Sequence, residues 1–223
     1  MQTPDFATAR LFMVNGQVRP NKVTDPRLLA ALRSLPRERF LPAGAAPLAY
    51  ADEDVPLGGG RVLLAPLPLS RLVQAILDAN AGSKALVIGA GPGYGAAVLA
   101  ACGFSVTACE HDPALLALAR PALAAVGSGV TLVEAGPADL PKGPFDVILI
   151  EGGFEILPPA IPARLSPRGG GTGGRLFGIR RDRAGTGQAV EGEMTTAGLA
   201  LRPLFDAFTT CLPGLEMAPS FVF

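Results

Sequence analysis

The fold of this chain is decided by the stretch Ala85-Leu-Val-Ile-Gly-Ala-Gly-Pro-Gly-Tyr-Gly-Ala-Ala-Val-Leu-Ala-Ala101. Its apolar start, residues 85–88, predicts a buried strand, and residues 96–101 predict a helix without a polar face. Between them a glycine stands at every second position from Gly89 to Gly95. Glycines let the backbone turn at positive φ and let a ligand approach without meeting a Cβ atom, and a helix start offers unpaired N–H groups. We therefore expect a strand, a tight turn and a helix that hold a nucleotide-like ligand.

The spacing of the glycines distinguishes between two kinds of ligand. A dinucleotide site needs G-x-G-x-x-G directly after the strand. Counted from Gly89, the sixth position is Tyr94, which does not fit; counted from Gly91 it is Ala96, which fits but begins two residues late. The G-x-G-x-G pattern of Gly89, Gly91 and Gly93 fits an S-adenosylmethionine site better. A nicotinamide-dependent oxidoreductase stays open as an alternative on the shifted register alone.

An acidic residue follows the turn at the spacing of a ribose ligand. The predicted strand 105–109 ends at Glu110, which lies 21 positions after Gly89. An acid about 20 residues after the first glycine is placed to bind ribose hydroxyls. The competing interpretations are a solvated acid at a strand end and a glycine turn that serves only helix–strand packing. His111, the only histidine, is expected in a loop near the adenine.

Composition limits the class of protein. The chain has 223 residues, 49% hydrophobic and 17% charged, and its 19 basic and 19 acidic side chains cancel. We expect one domain over 1–223, with a helical and lid extension at 1–68 and a sheet core at 69–223. The absence of a basic footprint argues against a nucleic-acid partner. The sequence leaves the oligomeric state open.

The cysteines and the hydropathy pattern indicate a compartment. Cys102, Cys109 and Cys211 contain no C-x-x-C spacing, which argues against a disulfide scaffold and against a zinc site, so no metal is expected. No apolar run reaches 18 residues, and the N-terminus lacks a signal-peptide pattern. We expect a cytoplasmic protein that does not enter a membrane.

The order of elements predicts an α/β fold. Helices are expected over 5–15, over a segment capped by Thr24 or Asp25, and over 69–80 with Gly82 as its end. Residues 43–68 are expected to be irregular, with a hinge at 58–60, and 168–174 to form a flexible loop. The remaining expected elements are strands near 84–88, 105–110, 130–134, 145–151 and 174–180, helices near 94–102, 113–126 and 157–165, and extended segments near 187–195 and 202–211. This alternation predicts an α/β fold with a parallel sheet wound with helices, and a final antiparallel hairpin on such a sheet suits methyltransferases more than dehydrogenases.

Five motifs occur in an order that is hard to obtain by chance. They are Gln17-Val18-Arg19, Pro36-Arg37-Glu38-Arg39-Phe40-Leu41-Pro42, Ala49-Tyr50-Ala51-Asp52, Gly89-Ala-Gly-Pro-Gly-Tyr94 and Pro144-Phe145-Asp146. Together they resemble the protein-L-isoaspartate O-methyltransferase family over most of the chain. The resemblance implies a doubly wound, mostly parallel seven-stranded sheet of the class I methyltransferase type with an N-terminal helical extension. It also implies a methyltransferase that uses S-adenosyl-L-methionine to methylate the side-chain or α-carboxylate of an isoaspartyl residue in a damaged protein or peptide.

The resemblance also implies site residues. Gly89, Gly91 and Gly93 would line the methionine end of the cofactor, and Glu110 would hold its ribose hydroxyls. The complete set of expected cofactor-binding residues is Gly89, Ala90, Gly91, Gly93, Tyr94, Glu110 and His111.

Four departures from the family put its usual substrate in doubt. The Thr-Ile-Ser-Gln that precedes the family's proline is here Val62, Leu63, Leu64 and Ala65, and the expected hydroxyl position is Leu64. A carboxylate that enters this site loses donors at a cost on the order of a few kcal/mol. The other departures are Val87 where the family has an acid, Gly136-Pro137 where it has Gly-Asp, and Glu151-Gly152-Gly153 where it has a small polar strand end.

Several interpretations therefore stay open. Tyr50 belongs either to a substrate lid or to a turn cap. Arg61 is either a partner for a carboxylate or an exposed arginine of the lid. Glu151 either selects a basic or hydroxyl substrate or is an exposed loop acid, and Tyr94 either packs under the turn or faces the site. The alternative function is a degenerate or different-substrate member that binds the cofactor only, or no cofactor.

Overall fold

The computed structural model describes residues 5–167, 173–182, 184 and 186–218. Its α-helices are α1 Phe6–Phe12, α2 Pro26–Ser34, α3 Pro66–Ala79, α4 Tyr94–Ala101 and α5 Pro113–Ala125. Its strands are β1 Val55–Gly58, β2 Arg61–Leu63, β3 Lys84–Ile88, β4 Ser105–Glu110, β5 Thr131–Glu134, β6 Val147–Phe154, β7 Arg175–Arg181, β8 Gly187–Thr195 and β9 Gly198–Asp206. None of the helices in these described ranges is long and apolar enough to cross a membrane.

A seven-stranded sheet in the order β5-β4-β3-β6-β7-β8-β9 forms the centre of the molecule. Strands β3 to β7 pair in parallel, and β8 and β9 add an antiparallel hairpin. The predicted fold class is therefore confirmed. The chain runs outward from β3 to β5 and returns to β6, so the carboxyl ends of β3 and β6 lie side by side where the strand order reverses. Ligands of open parallel sheets bind at such a point.

One predicted element of the second half is wrong, and another is present with shifted ends. The helix expected over 157–165 is reduced to a 3-10 turn at Pro162–Arg164, because the prolines of this segment lack N–H donors for helical hydrogen bonds. The last strand begins at Gly198 rather than near 202, since residue Thr195 of β8 already pairs with Gly198 across a two-residue turn. The loop expected over 168–174 lies outside the described residues at 168–172.

The N-terminal helices follow the prediction with shifted ends. After α1 the chain continues as a π-helix at Met13–Val18 and a 3-10 turn at Arg19–Asn21. Asp25 rather than Thr24 caps α2, since its side chain accepts a hydrogen bond from the N–H of Arg27 at 2.8 Å. Helix α3 ends at Asn80, which adopts the left-handed conformation at φ 47°, and so stops before Gly82.

Part of the stretch expected to be irregular is a β-hairpin. Strands β1 and β2 pair antiparallel, and Gly58, Gly59 and Gly60 make the turn between them at positive φ. We call residues 55–63 the lid hairpin. It packs on the glycine turn that follows β3, because a Cβ atom at Gly91 would lie 3.8 Å from Leu57.

The two faces of the sheet bury separate apolar clusters. Val87 and Leu149 belong to the cluster that includes the N-terminal helices and α4, whereas Ile88 and Ile148 belong to the opposite cluster. Successive residues of a strand alternate between faces. This alternation decides which face each side chain near the ends of β3 and β6 occupies.

Candidate functional site

The predicted glycine turn is present between β3 and α4. Gly89, Gly91 and Gly93 adopt φ angles of 68°, 56° and 92°, a region in which side chains other than glycine are strained. The N–H of Ala90 donates to the carbonyl of Cys109 at 3.0 Å, which fastens the turn to β4. Helix α4 begins immediately afterwards at Tyr94, so the turn leads directly into a helix N-terminus, as the sequence predicts.

The protein's own side chains cover this turn. All residues from 89 to 94 are buried. Leu212, from the C-terminal segment, occupies the place that a Cβ atom at Gly89 would need, and a Cβ at Gly152 would lie 2.6 Å from the same side chain. The lid hairpin closes the other side. Access for a ligand therefore requires a movement of these covering segments.

Glu110 is held beside the turn by main-chain hydrogen bonds. Its carboxylate accepts from the N–H of Gly91 at 2.7 Å, of His111 at 2.8 Å and of Asp112 at 2.9 Å. The side chain is 0% exposed, so the interpretation as a solvated acid is wrong. Burial raises the pKa of Glu110, but hydrogen bonds and charge from Arg61, with the main-chain donors, outweigh this and lower it. The carboxylate is therefore ionised and fixed at the tip of β4.

Arg61 forms a buried ion pair with Glu110. Its Nη1 and Nη2 donate to the two carboxylate oxygens at 2.9 and 2.8 Å, and Nη2 also donates to the carbonyl of Gly89 at 3.0 Å. The interpretation as an exposed arginine is wrong, because only 4% of the side chain is exposed. Sequence reasoning missed this pair, which joins residues 49 positions apart.

The two other candidate cofactor residues flank the turn differently. The His111 side chain is 44% exposed and lies 3.7 Å from the place of a Cβ at Gly136, beside the loop that follows β5. Tyr94 is buried and packs edge-on against Phe40, with ring centroids 5.4 Å apart. Burial raises the pKa of Tyr94 to about 12. Tyr94 thus packs under the turn, and His111 stays a prediction as a neighbour of adenine.

A buried arginine that sequence reasoning did not single out supports this packing. The Arg37 guanidinium lies 4.9 Å over the Tyr94 ring. Its Nε donates to the carbonyl of Ala49 at 2.7 Å and its Nη2 to that of Leu64 at 2.5 Å. The sequence signal that could have identified Arg37 is its position inside the motif Pro36–Pro42. Arg37 ties three distant segments together beneath the site.

Glu151 lies at the carboxyl end of β6, against the start of α4. Its Oε1 accepts from the N–H of Gly95 at 3.3 Å, and a Cβ atom at Gly95 would lie 2.5 Å from its Oε2. The residue is 5% exposed, so the interpretation as an exposed loop acid is wrong. Burial raises the pKa of Glu151 to about 8, which keeps the carboxyl largely neutral at pH 7.

The hydroxyl of Tyr50 is engaged by the N-terminal helices. It accepts from the Nε of Arg10 at 2.8 Å and donates to the carboxylate of Glu38. Burial and the Glu38 carboxylate are the main causes that raise the pKa of Tyr50. This network fastens α1 to residues 36–50, and a substrate role for Tyr50 stays a prediction.

The four positions that replace the family's hydroxyl-bearing stretch separate into two groups. Leu63 and Leu64 are fully buried in the apolar core, whereas Val62 and Ala65 line a groove of about 500 Å³. The rest of the groove is lined by Asp52, Glu53, Asp54, Leu67, Pro68, Phe208, Thr209 and Thr210. The structure therefore brings the lid hairpin and the C-terminal segment together at one groove.

Comparison with known families gives a match over most of the chain. The family model of protein-L-isoaspartate(D-aspartate) O-methyltransferase (PCMT) matches residues 12–177. A protein-L-isoaspartate O-methyltransferase of Methylorubrum extorquens is 40% identical over 168 residues, 74% of this chain and 73% of that relative. A second, from Rhodopseudomonas palustris, is 40% identical over 77% of this chain and 69% of the relative.

Solved structures share the fold. A Plasmodium falciparum protein assigned to the protein-L-isoaspartate O-methyltransferases, solved in complex with S-adenosyl-L-homocysteine, superposes with a TM-score of 0.73 at 16% identity, covering 93% of this chain and 98% of its own. A further protein-L-isoaspartate O-methyltransferase structure gives a TM-score of 0.74 at 21% identity, covering 93% of this chain and 67% of its own. At these identities the likeness concerns the architecture.

Proposed function

The chain belongs to the protein-L-isoaspartate O-methyltransferase family, whose members are S-adenosylmethionine-dependent methyltransferases, and from this membership we propose that it esterifies a carboxylate of isoaspartyl residues in damaged proteins or peptides. The observation that carries the proposal is the position of Glu110 beside the glycine turn. Its acceptor oxygens and the small residues of the turn fit an adenosyl ligand, which needs acceptors for its ribose hydroxyls and close approach to the backbone.

The chain's own residues divide the work of holding the cofactor. Glu110 accepts from the ribose hydroxyls, and Gly89, Gly91 and Gly93 give the methionine end room beside the main chain. His111 borders the adenine, and Tyr94 supports the turn from below. S-adenosylmethionine, when bound, supplies a methyl group on a positively charged sulfur.

Cofactor entry requires that Arg61 leaves Glu110. The guanidinium bonds both carboxylate oxygens, and these oxygens are the acceptors that ribose hydroxyls need. The lid hairpin that carries Arg61 turns at three consecutive glycines with positive φ, and such a turn tolerates large changes of backbone angle. In this proposal the lid hairpin opens to admit the cofactor and closes over it.

The acceptor binds in the groove beside the lid hairpin. Val62 occupies one of the positions where the family carries a substrate-binding hydroxyl, Ala65 lines the groove beside it, and Thr209 and Thr210 add hydroxyls from the C-terminal segment. A carboxylate is already ionised at neutral pH, so the groove needs no general base. Its residues position the acceptor oxygen and exclude water, which is how proximity accelerates such a transfer.

The proposal also covers how the chain is divided, which partner it acts on and in which compartment. Residues 1–68 act as a helical and lid extension of the sheet core at 69–223, and the partner is a protein or peptide with isoaspartyl residues. The three cysteines are free thiols, which supports action in the reducing cytoplasm.

A methyl-transfer assay tests the proposal. The protein is incubated with methyl-labelled S-adenosylmethionine and an isoaspartyl peptide, and base-labile methyl ester is counted. The matched control is the same peptide with ordinary aspartate. We expect ester on the isoaspartyl peptide only. Cofactor binding without ester on either peptide would contradict the proposed acceptor, and absence of binding would contradict the proposed cofactor as well.

A further inference from the structure

Glu151 carries a buried carboxyl oxygen that no described residue satisfies. Among the residues that the structure describes, its Oε2 has no hydrogen-bond partner and is shielded from solvent. Its other oxygen makes one hydrogen bond, with the N–H of Gly95 at 3.3 Å. An unpaired polar group costs free energy when it is buried, and buried polar atoms in proteins almost always have partners. An orphaned oxygen at the ligand-binding end of a central strand therefore indicates a partner that arrives from outside.

The sheet register places this carboxyl on the ligand side of the glycine turn. In the parallel pair β3–β6, Val87 lies opposite Leu149, and both belong to the apolar cluster on the α4 face. Glu151, two residues beyond Leu149, projects to the same face, as its contact with Gly95 requires. Val87 is the position at which the sequence lacks an expected acid. Glu151 thus supplies a carboxyl on the neighbouring strand β6, two residues nearer the glycine turn than the level of Val87.

The charged groups around Glu151 leave it available. Arg37 and Arg61 favour its ionised form and Glu110 opposes it, and Tyr94 also interacts with it electrostatically. Both terminal nitrogens of Arg61 are bonded to Glu110 or to a main-chain carbonyl. Arg37 bonds two main-chain carbonyls through Nε and Nη2, whereas its Nη1, like the Tyr94 hydroxyl, has no partner among the described residues and does not bond Glu151. Within the described part of the chain, the one hydrogen bond to the Glu151 carboxyl comes from an uncharged N–H group, that of Gly95. The site consequently suits an incoming cation that carries hydrogen-bond donors.

We propose that Glu151 binds the α-ammonium group at the amino-acid end of the cofactor. This inference rests on the proposed function, since it assigns one end of the same ligand. The amino-acid tail of an adenosyl ligand carries an ammonium with three N–H donors, which matches an unpaired carboxylate oxygen beside the glycine turn. Glu110 and Glu151 then bind opposite ends of one molecule, ribose hydroxyls at the tip of β4 and the ammonium at the tip of β6.

Two ligands separate this role from a merely structural one. S-adenosylhomocysteine carries the ammonium, whereas 5′-methylthioadenosine has the same adenosine part without it. Both are titrated calorimetrically into the native protein, into Glu151→Gln, and into Glu134→Gln, the matched control at the exposed end of β5. We expect Glu151→Gln to weaken S-adenosylhomocysteine binding about tenfold or more, and to leave 5′-methylthioadenosine within about twofold. Glu134→Gln leaves both affinities unchanged.

A proton count on the native protein gives a second readout that needs no variant. A carboxyl that is neutral in the free protein ionises when an ammonium docks on it, so about one proton is released at pH 7. The release is read from the dependence of the calorimetric enthalpy on the buffer. We expect it with S-adenosylhomocysteine and not with 5′-methylthioadenosine.

The outcomes distinguish this inference from the function on which it rests. Unchanged S-adenosylhomocysteine affinity in Glu151→Gln, or an equal loss for both ligands, overturns the role of Glu151 while the cofactor stands. If the native protein binds neither ligand, both proposals fall. If binding depends on Glu151 but no methyl ester forms, the ammonium site stands and only the proposed acceptor fails.

Discussion

Replacing Arg61 tests whether this residue blocks the cofactor site or binds the cofactor. Arg61→Met keeps most of the side-chain length but removes the guanidinium that bonds both oxygens of Glu110. Removing one partner of a buried ion pair costs about 3 to 5 kcal/mol. Glu110 keeps three main-chain N–H donors, so we expect a loss of only about 2 to 3 kcal/mol in the free energy of unfolding.

The affinity for the cofactor should change in the opposite sense. If ribose hydroxyls bind Glu110, as proposed, they must displace Arg61 from it in the native protein, and that displacement reduces the observed affinity. When the ligand displaces Arg61, water hydrates the freed guanidinium and offsets part of the lost ion-pair energy. Removing the guanidinium by mutation therefore improves the binding free energy by only part of the ion-pair energy. We take this part as about 1.4 kcal/mol, which makes binding about tenfold tighter. Arg61→Met is therefore less stable and yet binds S-adenosylhomocysteine more tightly.

Urea unfolding and calorimetric titration measure the two effects on the same preparation. Arg39→Met is the control, because it removes an exposed arginine and should alter neither quantity. Weaker binding of S-adenosylhomocysteine by Arg61→Met would refute the reasoning, since Arg61 would then contact the ligand instead of blocking it.

Three further predictions concern the crevice and the groove. The pKa of Glu151 in the folded state, about 8, lies above its ordinary value of 4.5, so between these pH values the folded state keeps a proton that the unfolded state loses. The free energy of unfolding therefore falls as pH rises through this range, by about 1.4 kcal/mol per pH unit. Glu151→Gln should remove this slope in urea unfolding, and parallel pH curves for the native protein and the variant would contradict the prediction. Gly95→Ala should lower the free energy of unfolding by about 1 to 3 kcal/mol, because the new Cβ meets the Glu151 carboxyl. In a Glu151→Ala background the same change should instead stabilise α4 by up to about 1 kcal/mol. Thermal melts with and without Gly95→Ala in each background measure the two effects, and equal effects would exclude the contact. Val62→Thr should return a hydroxyl to the groove and raise kcat/KM for an isoaspartyl peptide about fivefold, the equivalent of about 1 kcal/mol; Val62→Ala is the control without a hydroxyl, and an equal rise there would attribute the gain to space.

The parts of the site that lie close together in sequence are the parts that could be predicted. The strand, the turn and the start of α4 follow one another directly, so glycine spacing and apolar runs suffice to identify them. Glu110 could be placed because a turn, one helix and one strand of ordinary length separate it from Gly89. The helix predicted over 157–165 does not form, because the prolines of this segment remove N–H donors that a helix needs. Its apolar residues alone do not reveal this.

The pairing of Arg61 with Glu110 could not be predicted, because no local pattern records which distant side chain covers a strand end. Sequence reasoning treats a lone arginine in a glycine-rich segment as exposed, since charged side chains are rarely buried without partners. Its partner became visible only when the lid hairpin was placed over the turn. The same limit applied to Glu151, whose burial results from α4 and the covering segments together.

The lid hairpin also connects the two ends of the site. Arg61 and Val62 are consecutive residues of β2, so if the lid hairpin lifts as a unit, as proposed, Arg61 leaves Glu110 together with Val62, which lines the groove. Asp54 resists this movement, since its carboxylate accepts from the N–H of Ala65 at 2.7 Å and from the hydroxyl of Thr209 at 2.6 Å. Opening of the cofactor crevice and the shape of the groove are therefore coupled through one hairpin. Because such coupling is reciprocal, an acceptor that fits the groove best when the lid hairpin is in its cofactor-bound position strengthens cofactor binding by the same factor by which the cofactor strengthens binding of the acceptor.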